Sequence, residues 1–259
     1  MEKVVNSLSK SLRACASAIS FTFFGIGGLI LSYVWFPLLC VVHRDKKKRE
    51  LACQKSICKS FRFFTLFMHW LRILDLDVKN QERLSQRHGC IVVANHPTLI
   101  DVVILMGYMD QCDCIVKSEL FHNPFVRHIV NLAGFIPNQS EDLINLCQQK
   151  LSQKRKLLIF PEGSRTVPGE SVKCQRGAAH LAVRCDTDIQ TVRIHCSPIA
   201  LYKGSAWYQM PASPMKFTIE VDQPISIMPI IEGSPAPATA ARRLTRYLNS
   251  HLQPNVADK

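Results

Sequence analysis

Residues 90–101 read CIVVANHPTLID. The stretch begins as an unbroken, β-branched apolar run and stops at Asn95-His96-Pro97; an acid, Asp101, follows five residues after the histidine. An apolar run closed by a proline turn is the pattern of a strand buried on both faces of a sheet. Ligands of open α/β sheets bind beyond the carboxyl ends of such strands, where His96 lies. Thr98 to Asp101 also matches a capping box opening a helix. The two readings of Asp101 are compatible. A carboxylate in the first helical turn can reach back to an imidazole just before it, fix its tautomer and leave the other nitrogen to accept a proton.

Outward from this stretch the same alternation continues. Strands are expected at 114–118, 134–137, 156–160, 191–201 and 216–225, the last alternating as an edge or antiparallel strand does. Helices are expected at 98–109, 123–133, 140–154, 175–186 and 237–253. The fold class is α/β: a mixed, largely parallel sheet flanked by helices. A second strand end opens into FPEGSRT (160–166), which offers an acid, hydroxyls and a guanidinium in Glu162, Gly163, Ser164, Arg165 and Thr166. Arg165 with backbone amides suits a phosphate, and Lys173 and Arg176 add charge before the next helix. Nucleotide-loop and serine-hydrolase signatures are absent: no Gly-x-x-x-x-Gly-Lys, no Gly-x-Gly-x-x-Gly after a strand, no Gly-x-Ser-x-Gly.

The amino-terminal part has a different character. No charged residue occurs from Ala14 to Val42, and residues 19–42 exceed the roughly 20 apolar residues a bilayer span needs. The basic block HRDKKKRE (43–50) follows, which the positive-inside bias places in the cytoplasm. In residues 51–74 a stripe of Lys55, Lys59, Arg62, Thr65, His69 and Arg72 recurs at helical period on a greasy, aromatic background. That is the pattern of a helix lying in a membrane interface. Two parts are therefore expected: membrane-binding helices over 1–74 and an α/β domain over 75–259. A single span and a re-entrant hairpin both fit segment 19–42, with the α/β domain on the cytoplasmic side.

The formal net charge of +12 calls for an acidic partner. Nucleic acid fits badly, since the aromatics concentrate in the membrane region rather than among the charges. The anionic bilayer surface and its lipids fit well. Eleven cysteines without a Cys-x-x-Cys pair suit reduced, buried thiols, and the histidines show no metal-ligand spacing.

Taken together, the blocks resemble the 1-acylglycerol-3-phosphate acyltransferase family of the wider glycerolipid acyltransferases. Its Asn-His-x-x-x-x-Asp block is matched by Asn95, His96 and Asp101, and its Lys-x-Glu-Leu element by Lys117, Glu119 and Leu120. Its Phe-Pro-Glu-Gly-Thr-Arg-Ser block is matched by Phe160 to Gly163 and Arg165, with Ser164 and Thr166 exchanged in type. Arg176-Gly177-Ala178 and Pro198, Ala200 and Leu201 complete the order, and the amino-terminal part is similar to the family's two-helix membrane motif. The resemblance implies transfer of a fatty acyl group from a thioester to a lysolipid hydroxyl. The donor is acyl-coenzyme A or an acyl carrier protein, as substrate; neither cofactor nor metal is implied. His96 is then the base and Asp101 its partner, with Glu162, Gly163, Ser164, Arg165, Thr166, Lys117 and Arg176 around the substrate. A non-catalytic lipid-binding relative of the same fold shares the pattern but needs no working base. In one place the chain departs from the family: the arginine usual after Gly-x-Ile-Pro is replaced in GFIPNQS (134–140), so lysophosphatidate and other lysolipids both stand as acceptors.

Overall fold

The computed structural model describes residues 2–86 and 88–253. An apolar helical rod opens the chain: α1 (Glu2–Ile30), a π-helical turn (Leu31–Trp35) and α2 (Phe36–Val42). The π turn sits directly before Pro37, whose missing N–H breaks the regular ladder there. The rod then turns into α3 (Lys46–Trp70), whose first turn is the basic block, capped by the Asp45 carboxylate accepting from Lys48 N–H at 2.8 Å.

The α1 rod and α3 pack as an antiparallel hairpin. Arg13 reaches the Arg72 carbonyl at one end, Phe23 and Phe24 meet Phe61, Phe63, Phe64 and Phe67 in the middle, and Trp35 Nε1 donates to Ser56 Oγ (2.9 Å) at the other. Both ends of the rod also hold the α/β body. Arg13 Nε donates to Ala212 O (3.1 Å) and Ser17 Oγ to Trp207 O (3.0 Å); about 30 Å along the helix, Tyr33 Oη donates to Pro124 O (2.5 Å). The rod thus lies along the domain. The apolar surface of α3 is divided: Ile57, Phe64 and Met68 enter the main core, while Phe63, Leu66 and Trp70 face outward. Within the polar stripe Thr65 is buried and the charged members stay exposed.

The α/β body runs β1 (Leu74–Lys79), α4 (Glu82–Ser85), β2 (Ile91–Ala94), α5 (Asp101–Met106), β3 (Cys112–Val116), α6 (Arg127–Leu132), β4 (Ile136–Pro137), α7 (Leu143–Ser152), β5 (Lys156–Ile159), α8 (Arg176–Cys185), β6 (Ile189–Ser197), β7 (Met215–Val221), α9 (Met228–Ile231) and α10 (Pro237–His251). The strands form one seven-stranded sheet in the order β1-β7-β6-β2-β5-β3-β4. From β6 to β4 every pairing is parallel; β7 joins β6 antiparallel and β1 joins β7 parallel, so the sheet is mixed and largely parallel as expected. Strand 216–225 was expected as an edge or antiparallel strand and is antiparallel, but the edge belongs to β1, an element that sequence reading missed. One core, against the hairpin and α5, takes Val92, Ala94, Val192 and Phe217; the other face, against α8 and α10, takes Ile91, Val93, Leu157 and Leu244.

At the amino ends of the strands a buried ionic cluster fastens α3 to this sheet. Arg155 Nη2 donates to Asp113 Oδ1 (2.7 Å), its Nε makes a close ion contact with Asp113 Oδ2 (2.7 Å), and its Nη1 reaches Glu50 Oε2 at 3.0 Å, while Lys150 Nζ meets the same Glu50 oxygen at 2.6 Å. Gln54 Nε2 donates to Asp113 Oδ1 (3.1 Å) and Ala133 O (2.9 Å). Gly134, at φ +70°, leaves the space that Glu50 fills, since a Cβ there would lie 2.6 Å from its carboxyl carbon. Burial works against the charge on Glu50, but Lys150 and Arg155 prevail and hold its carboxyl below the ordinary 4.5. A carboxyl lowered on folding stabilises fully above its unfolded value and loses that contribution as pH falls through its folded one. The stability gap between wild type and Glu50→Gln, measured by urea unfolding, should therefore be full above pH 4.5 and close on acidification.

Candidate active site

The site sits where β2 and β5, paired side by side, both end. Beyond β2, Asn95 stitches the strand end to β6: its Nδ2 donates to Ile194 O (2.8 Å) and its Oδ1 accepts from Ile194 N–H (2.7 Å). Its amide thereby extends the sheet pairing by one residue, and the Pro97 turn swings His96 out of the ladder. The imidazole stacks on Phe160 from the end of β5, centroids 4.3 Å apart, which fixes its plane.

His96 Nδ1 and Asp101 Oδ2 are 2.8 Å apart, and Asp101 is fully buried. The same carboxylate accepts the Thr98 N–H (2.7 Å) and the Thr98 hydroxyl (2.5 Å). Thr98 and Asp101 thus form half of the expected capping box: the acid reaches back to the threonine amide. The threonine hydroxyl, instead of capping the helix, donates to the acid. Burial pushes the Asp101 carboxyl up, and the hydrogen bonds of His96 and Thr98 pull it back. Three donors converging on one buried carboxylate keep Nδ1 protonated and leave Nε2 as the basic nitrogen. Thr98→Val should lower kcat about tenfold without changing the fold or KM, the scale of one hydrogen bond to a charged group, and Thr98→Ser should restore it. Steady-state kinetics beside thermal melts would measure this positioning role.

The FPEGSRT turn holds the histidine from the other side. Glu162 Oε1 accepts the His96 N–H (2.8 Å), its Oε2 accepts the Thr166 hydroxyl, and Thr166 N–H donates to His96 O (2.8 Å). Glu162 and Thr166, expected beside the substrate, are thus turned inward and brace the two strand ends. Gly163 takes φ +72°, a left-handed turn that side chains resist. Arg165 Nη1 donates to the carbonyls of Leu201 (2.9 Å) and Tyr202 (3.1 Å), which anchors one arm of its fork. Ser164 is exposed and accepts from Lys203 Nζ at 3.3 Å. Lys203 is a cation that motif reading passed over, because only the fold brings it to this turn.

Lys117 and Arg176 are exposed at the margins. Lys117 follows the carboxyl end of β3, two strands and so roughly 10 Å from β2. Its neighbour Ser118 is pinned by Asn138 Oδ1, which accepts from the Ser118 N–H (3.0 Å) and hydroxyl (3.1 Å). Asn138 belongs to the Asn138-Gln139-Ser140 stretch that lacks the arginine the resemblance implies, and it orders the Lys117 loop. Arg176 begins α8, whose preceding Gln175 donates its N–H to Pro161 O at 2.7 Å, so the helix start abuts the FPEGSRT turn.

The groups that touch the His96–Asp101 pair among the described residues offer a base and no activated nucleophile. Thr98 and Thr166 have their hydroxyls committed to Asp101 and Glu162. Cys196, whose thiol interacts electrostatically with Asp101, is pushed by burial to about 12, so it carries no thiolate near neutrality. A hydroxyl supplied by a substrate is the natural proton source for Nε2.

Comparison with known proteins agrees. The acyltransferase family model matches residues 75–195, which include the His96, Asp101 and FPEGSRT positions. The chain is 36% identical over 129 residues to a 1-acyl-sn-glycerol-3-phosphate acyltransferase of Helicobacter pylori, covering 44% of this chain and 54% of that protein. It is 27% identical over 164 residues to the human 1-acyl-sn-glycerol-3-phosphate acyltransferase beta, covering 60% of this chain and 56% of that protein. The chain spans about half the length of these curated relatives. The crystal structure of the 1-acyl-sn-glycerophosphate (LPA) acyltransferase PlsC from Thermotoga maritima superposes with a TM-score of 0.66 at 21% identity, covering 97% of this chain and 95% of that one, which establishes a common fold that includes the amino-terminal helices. Residues 75–195 thus match the acyltransferase family model, and the whole chain shares the fold of the LPA acyltransferase PlsC.

Proposed function

We propose that this protein is a membrane-bound O-acyltransferase that moves a fatty acyl group from an acyl thioester to the free hydroxyl of a lysolipid, with lysophosphatidate as the first acceptor to test. The observation that carries the reading is the Asp101–His96 pair, buried at the acid and accessible at the imidazole. His96 Nε2 takes the acceptor hydroxyl proton as its oxygen attacks the thioester carbonyl. The tetrahedral adduct collapses, the carbon–sulfur bond breaks, and the imidazolium returns the proton to the leaving thiolate. Asp101 stabilises the imidazolium between these steps. Arg165, Ser164 and Lys203 hold a phosphate head group at the mouth, with Lys117 and Arg176 on its approaches. The relatives named for 1-acyl-sn-glycerol-3-phosphate support that acceptor.

The amino-terminal hairpin rests in one leaflet rather than threading the bilayer. The stretch Asn6–Val42 is long and apolar enough to cross a membrane, but it is bonded to the α/β body near both ends. Exposed Leu8, Leu12, Ile19, Ile26, Val34 and Trp70 supply the lipid-facing side. The basic α3 start and the cysteines, all free among the described residues, suit a cytoplasmic face. Purified protein in mixed micelles, given a labelled acyl-coenzyme A or acyl carrier protein with a panel of lysolipids, tests the reaction. Labelled phosphatidate from lysophosphatidate is the expected product; hydrolysis alone, or transfer to no lysolipid, would overturn the assignment.

A further inference from the structure

We infer that segment 201–210 is a second membrane contact, in which Trp207 and Tyr208 enter the lipid interface beside the hairpin and couple bilayer binding to the substrate turn. This rests on the reading of the hairpin as the membrane-bound element and goes beyond it. Both ends of the segment are fixed: Leu201 and Met210 are buried in the main core. Between them the chain is tightly turned, with Ser205 N–H donating to Tyr202 O (3.2 Å), Gln209 N–H to Ala206 O (3.0 Å) and Ala206 N–H to Gln209 Oε1 (2.9 Å). A loop so braced has no need of aromatic residues at its tip. Yet Trp207 and Tyr208 stand there 49% and 56% exposed, packed edge to face on each other at 5.5 Å. Tryptophan and tyrosine displayed together in this way are the side chains that settle at the headgroup level of a bilayer.

The position of the tip selects the bilayer over other occupants. Ser17, buried on the body-facing side of α1, donates to the Trp207 carbonyl and Arg13 to Ala212, so the tip is seated directly beside the hairpin. Phe125, 64% exposed, holds the matching place at the other end of α1, beside the Tyr33–Pro124 hydrogen bond. The net charge of +12 suits binding of the chain as a whole to anionic lipid. The other end of the same segment is the substrate turn: Leu201 and Tyr202 carbonyls hold Arg165, Lys203 meets Ser164, and the Leu201 carbonyl accepts the Leu99 N–H at 2.9 Å. Seating Trp207 in the interface therefore sets the height of Arg165 and His96 above the lipid surface from which the acceptor must come.

The test uses the full chain with Trp35→Phe and Trp70→Phe, which leaves Trp207 as the sole tryptophan. It is mixed with vesicles of phosphatidylcholine and phosphatidylglycerol, with and without brominated acyl chains, and binding is followed separately by co-sedimentation. The expected result is a blue shift of Trp207 emission with quenching by the brominated chains. Co-sedimentation with unshifted, unquenched Trp207 overturns the inference and leaves the hairpin reading standing; absence of co-sedimentation overturns both. A blue shift produced by an acidic acyl carrier protein and not by vesicles also overturns it. In addition, Trp207→Ala with Tyr208→Ala should weaken vesicle binding roughly tenfold. The same pair should raise KM for acceptor presented in vesicles, with kcat toward a monomeric short-chain lysolipid unchanged. A uniform loss on both acceptors would mark a merely structural loop and contradict the coupling.

Discussion

His96→Ala lowers the rate of acyl transfer by roughly 10² to 10⁴, the usual worth of a positioned general base. The loss should fall on kcat, because in the proposed mechanism Nε2 acts on the acceptor proton in the transition state and contributes little to holding the acyl chain. The fold survives, since the imidazole is not part of the core: the braces of the turn are the backbone N–H and carbonyl of His96, which alanine keeps. Asp101→Asn should behave differently. The amide would place a donor opposite either Nδ1 or the Thr98 hydroxyl, favouring the wrong tautomer while leaving the shape intact. Melting curves close to wild type with loss of kcat in both variants are the expected pattern.

Arg155→Ala destabilises the protein by about 3–5 kcal/mol, the cost of breaking a buried ionic group by removing one partner. The arginine is the hub of its cluster, joining Asp113 of β3 to Glu50 of α3. Without it Asp113, fully buried, keeps only Gln54 at 3.1 Å and Lys150 at 3.7 Å. Because Glu50 belongs to the amino-terminal hairpin and Asp113 to the sheet, the loss also loosens the seat of α3 on the domain. Urea unfolding would show a lower midpoint, and proteolysis would show earlier cleavage between α3 and β1.

The two strand-end turns of the candidate site were legible in the sequence because their geometry is local. Asn95-His96-Pro97 and Phe160-Pro161-Glu162-Gly163 each end a buried strand and carry the proline and glycine that the turns require. What sequence reading missed is what only the fold assembles. Glu50, Asp113, Lys150 and Arg155 are far apart in the chain and follow no period, so nothing marked them as one cluster. Glu162 and Arg165 have the residue types of ligand-binding groups, yet Glu162 is spent on His96 and Thr166, and one arm of Arg165 on Leu201 and Tyr202. Strand β1, LDLDVK, does alternate at period two, but it is short and follows directly on the end of α3, where the helical stripe drew the reading. The same stripe was right about which polar residues are exposed, except Thr65, but periodicity could not show that the apolar side of α3 is divided between the core and the exposed surface.

Formation of labelled phosphatidate from a labelled acyl thioester and lysophosphatidate, by purified wild type and His96→Ala side by side in mixed micelles, decides whether His96 is the base. Transfer by the wild type and a rate reduced at least a hundredfold or so in the variant are what the account predicts. Equal transfer by the two would contradict it.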